Sequence, residues 1–175
     1  MKINVTSIIV DHFQTLRDAQ RNKLSAADIF LFYFIPIIAG ALGLFAEFTI
    51  RADAYNASIT FFGIFIALLL NIQVGMFAIF QRKWEISSDI RVAAIQQEVL
   101  VERKTLLTEL NANISYLILV SCVSLVASFL FYLEKWEWGF APSLTLALYL
   151  HFLLTLLMVV KRAHALFHKE YRDTR

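Results

Sequence analysis

Apolar positions in this chain gather into four long runs, separated by short or charged intervals, and the pattern predicts four helices of membrane length. The second run is the most extended. From Ala54 to Gln81, 28 consecutive residues include no Asp, Glu, Lys or Arg. A helix rising about 1.5 Å per residue would reach roughly 40 Å over that stretch, against about 30 Å of bilayer hydrocarbon. The spans are placed at 29–46, 57–80, 114–133 and 140–160. Ahead of them, Val5, Ile9, Phe13, Leu16 and Leu24 recur at helical spacing, with Arg17, Asp18, Arg21 and Lys23 largely off that stripe. An amphipathic N-terminal helix within 1–28 follows, seated either on the membrane surface or packed under the bundle. Ser25-Ala26-Ala27-Asp28 has the capping-box pattern and marks the start of the first spanning helix.

Between the second and third spans, 85–110 turns polar without containing Gly or Pro, and Ile86, Ile90, Ala93, Leu100 and Leu107 keep a helical rhythm. This predicts a long cytoplasmic helix capped by Ser87 or Ser88. It either runs directly into the third span or breaks at Asn111 and Asn113. The basic segment 161–175 continues the fourth helix. The expected fold is all-α: an integral membrane four-helix bundle with an N-terminal amphipathic helix and a long cytoplasmic helix between spans 2 and 3.

Small residues say where the helices should touch. Gly63, Ala67, Asn71 and Gly75 stand at strict intervals of four in the second span, and Ala39 with Gly43 makes a similar pair in the first, beside Gly40. In lipid such stripes let backbones approach closely, so both are expected to carry helix packing. Pro36 should kink the first span, because it removes a backbone donor.

Composition agrees with the pattern: 59 % of the 175 residues are hydrophobic and 17 % charged, outside the usual range for a soluble domain. The charges are sorted. Of sixteen Lys and Arg, one lies in the link before the second span (Arg51) and one in the hairpin before the fourth (Lys135). The other fourteen fall on the face shared by the N terminus, the middle segment and the C terminus, which the positive-inside rule assigns to the cytoplasm. A multi-pass membrane protein with both termini in the cytoplasm is the expectation. A net charge of +2 gives no reason to expect direct nucleic-acid binding.

Candidate chemistry is sparse. Polar groups at membrane depth are Asn71, Gln73, Ser121, Ser124, Ser128 and His151; they can glue helices together or line a water path, and helix glue is the ordinary role. His151, alone among ionisable groups near mid-span apart from a cysteine and tyrosines, is a functional candidate by position. His164 and His168 have the i, i+4 spacing of a metal pair without an evident third ligand, and no metal or cofactor is expected. There is no His-Glu-x-x-His, Gly-x-Ser-x-Gly or glycine-rich phosphate loop, and no enzyme is expected. The lone Cys122 supports no disulfide framework.

At Asp11-His12-Phe13-Gln14-Thr15-Leu16-Arg17-Asp18-Ala19, Leu69-Leu70-Asn71-Ile72-Gln73 and Glu109-Leu110-Asn111-Ala112-Asn113-Ile114-Ser115, the chain resembles small four-span bacterial membrane proteins of anti-phage defence loci, of the Kiwa membrane-subunit type. The resemblance implies an inner-membrane oligomer that senses envelope disturbance and holds a soluble DNA-binding partner on its cytoplasmic face. It supplies no catalytic residue.

Two functions are therefore expected to compete. One is a self-associating scaffold and sensor, dimeric or tetrameric, whose cytoplasmic helix recruits a protein partner through Ile86, Ile90, Arg91, Leu100, Arg103 and Lys104. The other is a small oligomeric channel or depolarising effector, suggested by the serine face of the third span with Asn71, Gln73 and His151.

Overall fold

The computed structural model describes residues 5–16, 25–81 and 89–173, the side chains of 169–173 excepted. Every described regular element is helical. Helix α1 spans Val5–Thr15, α2 Ala26–Phe45, α3 Ala52–Gln81, α4 Ile90–Leu133 and α5 Phe140–Asp173. Four helices, α2 to α5, are long and apolar enough to cross a membrane.

Local sequence accounts for the helix ends. The Ser25 hydroxyl accepts a hydrogen bond from the Asp28 amide at 3.3 Å, as the capping pattern predicts. At the start of α4 the cap is Asp89, whose carboxylate accepts from the Arg91 amide at 2.8 Å; Ser87 and Ser88 lie outside the described residues. Just ahead of Pro36, α2 carries a π-helical segment, Phe30–Phe34. The missing proline N–H is absorbed by one wider turn.

The middle segment and the third span are one helix of 44 residues, about 66 Å long. Asn111 and Asn113 do not break it. More than half of that length is beyond what a hydrocarbon layer of about 30 Å would cover. The buried residues of its C-terminal two-thirds include Leu107, Leu110, Ile114, Leu117, Ser121, Ser124, Ser128 and Phe131. They are spaced alternately three and four apart, the seam of a left-handed helix pair.

Helix α3 meets that seam with Tyr55, Phe62, Leu69 and Met76, every seventh residue, and with Ser58. Of the expected stripe of Gly63, Ala67, Asn71 and Gly75, only Gly63 lies against α4, a Cβ there standing 3.8 Å from the Leu125 side chain. Ala67, Asn71 and Gly75 are exposed, and a Cβ added at Gly75 would meet nothing within 4 Å. The physical reason is complementarity of size. Helix α4 supplies the small residues, Ser121, Ser124 and Ser128, and α3 supplies large ones to lie over them.

Close backbone approach occurs instead between α2 and α5. A Cβ at Gly40 would stand 3.0 Å from the Ala147 Cβ and 3.2 Å from the Ser143 carbonyl oxygen, and one at Gly43 3.3 Å from the Ser143 hydroxyl. Gly43 thus packs as the small-residue pattern predicts, with Gly40 as its closer partner, while Ala39 is half-buried beside them. The backbones of α3 and α2 make no contact among the described residues. The four helices consequently form a curved row, α3–α4–α5–α2, rather than a closed square. A wedge of Phe61, Phe62, Phe65, Tyr149 and Phe152 rings, with centroids 4.7–5.6 Å apart, ties α3 to α5 across the row.

On the face opposite the termini the two short links are joined: the Ile50 amide donates to the Glu137 carbonyl at 3.0 Å, the Ala52 amide to the Glu137 carboxylate at 3.0 Å, and the Tyr55 hydroxyl to the Trp136 carbonyl at 2.8 Å. The hairpin turns through Gly139 at φ +75°, a conformation that favours glycine.

Candidate functional site

At the end of the row that carries the termini, side chains from all five helices converge on α4. The arrangement begins with Pro36. Its missing N–H leaves the Phe32 carbonyl without the usual donor four residues on, and the Nδ1 of His151 lies 2.8 Å from that oxygen. The imidazole donates from Nδ1, so Nε2 is an acceptor, and the Tyr116 hydroxyl donates to it at 2.9 Å. Tyr33 in turn donates to the Tyr116 oxygen at 3.3 Å. His151 is thereby held as a neutral ring whose two nitrogens are both used, the structural role available to a mid-span histidine.

Tyr116 also carries the chain outward. Its ring stacks on His12 of α1, centroids 3.8 Å apart and planes 5° from parallel. His12 is fully buried, and its Nδ1 donates to the Asn113 side-chain oxygen at 2.8 Å. The Thr15 hydroxyl lies 2.9 Å from the same oxygen and 2.7 Å from the His12 carbonyl. Asn113 completes its set by donating to the Glu109 carbonyl at 2.8 Å. Arg162 of α5 closes the ring: it donates to the Thr15 carbonyl and sits 3.2 Å from the Glu109 carboxylate. On the other side of α4, Gln73 donates to Asn111 at 3.2 Å and to Ser115 at 2.8 Å. Each of the three strings quoted above, around His12, Gln73 and Asn113, contributes to this one polar girdle.

The sequence pattern caught only part of the docking face of α1. Of its apolar stripe, Leu16 is buried and Phe13 packs against the same cluster, whereas Val5 and Ile9 are exposed. The buried face is His12, Thr15 and Leu16, with Ile8 packed against the main core. A histidine and a threonine turn inward because Asn113 offers them hydrogen bonds there, and no apolar pattern signals that.

Burial lowers His12 from its ordinary 6.5 to about 4; the Asn113 bond opposes the shift, while the positive charge of Arg162 adds to it. The Nε2 of His12 has no hydrogen-bond partner among the described residues. A base held below its ordinary value favours the neutral form in the docked state. The docking of α1 is therefore complete above about pH 6.5 and weakens as pH falls toward 4, by on the order of 3 kcal/mol at most. Hydrogen exchange of residues 5–15, corrected for intrinsic rates, should show lower protection at pH 5 than at pH 7.5; equal protection would contradict this.

The other candidate residues fall as follows. Ser121, Ser124 and Ser128 are buried on the α3–α4 seam, and Ser121 bonds the Leu117 carbonyl at 2.8 Å. All three are closed off from solvent by packing within one chain. Of the proposed docking residues, Ile86 lies outside the described residues. Ile90, Arg91 and Lys104 are exposed, whereas Leu100 and Arg103 are half-buried, in step with the heptad seam rather than on the outer face. The outer apolar positions of this segment also include Ile95 and Val101. His164 and His168 stack with centroids 6.2 Å apart, and no group of three metal-ligating side chains occurs among the described residues.

Four helices long and apolar enough to cross a membrane suggest a multi-pass membrane protein, and the girdle cross-links them by hydrogen bonds toward one end of the row. Comparison with protein-family models, with curated proteins and with solved structures yields no match.

Proposed function

We propose that this protein is a non-enzymatic, self-associating sensor and scaffold of the bacterial inner membrane, which recruits a cytoplasmic protein partner and serves anti-phage defence. The observation that carries the reading is the unbroken helix α4. Its inner half is locked to three other helices, and its outer half presents Ile90, Ile95 and Val101 to solvent. A displacement at membrane depth is transmitted along such a rod without loss in a flexible joint. The exposed stripe of Ala67, Asn71 and Gly75 on α3 supports self-association, since a carboxamide facing hydrocarbon gains from a second copy. The channel reading ranks second because its serines are enclosed within one chain.

The direct test is affinity purification from the native host with the products of neighbouring genes. A specific soluble partner should co-purify and be lost on Ile95→Asp. A chain that emerges alone from its host, or a partner indifferent to that substitution, would overturn the recruitment reading.

A further inference from the structure

A second feature of the same membrane face is independent of partner recruitment and rests only on α2 to α5 lying in lipid. Between α2 and α5 a cavity of about 290 Å³ is lined by Asp28, Leu31, Phe32, Leu154, Leu157, Met158, Lys161 and Arg162. This is near the lower edge of ligand-pocket volumes, about 300 Å³. Its floor is apolar and buried, Phe32 and Met158, while Leu157 on its rim is 64 % exposed. The charged lining belongs to the first turn of α2 and to the residues where α5 leaves its apolar run, the depth of lipid headgroups in the membrane reading.

The charges are mixed rather than simply basic. Lys161 is exposed. The Arg162 side chain is only 20 % exposed, and its Nη1 is buried without a hydrogen-bond partner among the described residues, although the Glu109 carboxylate lies 3.2 Å from it. Asp28 adds a carboxylate to the lining. With Glu109 offsetting Arg162, the site is close to neutral overall. A headgroup of net negative charge gains from Lys161 and Arg162 but meets Asp28. A zwitterion with a phosphate and a primary ammonium finds a partner for each end, and its acyl chains continue along Leu31, Leu154 and Leu157.

We propose that this groove is a binding site for one phospholipid of the phosphatidylethanolamine class, with phosphate toward Lys161 and Arg162 and the ammonium donating to Asp28. A choline headgroup has no N–H to donate and keeps only the weaker Coulomb attraction to Asp28.

Native mass spectrometry of the full chain in mild detergent, offered equal amounts of phosphatidylethanolamine, phosphatidylcholine and phosphatidylglycerol with identical acyl chains, tests this. The ethanolamine adduct should exceed the choline adduct by about ten-fold or more, the lower end of the scale of one charge-assisted hydrogen bond. Asp28→Ala should erase that preference, and Lys161→Gln, at an exposed position, should weaken both zwitterionic adducts while keeping the preference. Soluble phosphoethanolamine in excess should not displace the lipid, because it lacks the chains. Equal or stronger phosphatidylglycerol binding, a preference surviving Asp28→Ala, displacement by the soluble headgroup, or absence of every lipid adduct would each overturn the proposal.

Discussion

Asn113→Leu should release helix α1 from the bundle. The substitution removes the acceptor of His12 Nδ1 from a residue whose Nε2 has no partner among the described residues, and it removes the acceptor shared with Thr15. A buried donor left unsatisfied costs about 1–3 kcal/mol. With His12 fully buried, the docked state should lose roughly 2–4 kcal/mol. The expected observation is early proteolytic cleavage near residues 5–16, while the α3–α4 seam keeps its protection. Asn113→Asp provides the contrast. A carboxylate at that position favours the protonated imidazole, so the pH dependence of α1 docking should shrink or reverse. Cleavage of the Leu variant at the wild-type rate would mean that the girdle does not hold α1.

The second large effect is expected at Gly40. Its missing Cβ would already stand 3.2 Å from a backbone carbonyl and 3.0 Å from Ala147, neither of which can rotate away. Overpacking by a methylene or so costs about 1–3 kcal/mol; Gly40→Leu should exceed that and lever α2 off α5. Because the Phe32 carbonyl rides on α2, its bond to His151 should be lost as well. Thermal unfolding in detergent, followed by circular dichroism, should show a clear fall in midpoint for Gly40→Leu. Gly75→Leu, where a Cβ meets nothing, should leave the midpoint of the single chain unchanged. Should Gly75→Leu alter only the oligomer count, the outer stripe of α3 is an interface between copies.

The contrast between these two glycines marks what the sequence could and could not convey. Membrane-length runs and capping at Ser25 are properties of short windows, and they were legible. Which face of a helix is used depends on the partner. Gly63, Ala67, Asn71 and Gly75 have the spacing of a packing surface, yet α4 already supplies small serines, so α3 turns its large residues inward. His12 was missed for a related reason. On an amphipathic helix a histidine reads as part of the solvated face, and only Asn113, 101 positions away, makes it a buried one. The seam spacing of α4 was present in Leu107, Leu110, Ile114, Leu117, Ser121, Ser124, Ser128 and Phe131. It was obscured because a change from leucine to serine midway breaks the hydropathy pattern but not the geometric one.

The account depends on residue 95 and residue 138 lying on opposite sides of a membrane. In a Cys122→Ser background, Ile95→Cys and Trp138→Cys, both at exposed positions, can be challenged with a membrane-impermeant maleimide in intact spheroplasts. Position 138 should label at once and position 95 only after the membrane is opened. Labelling of position 95 in sealed spheroplasts, or of both positions alike, would contradict it.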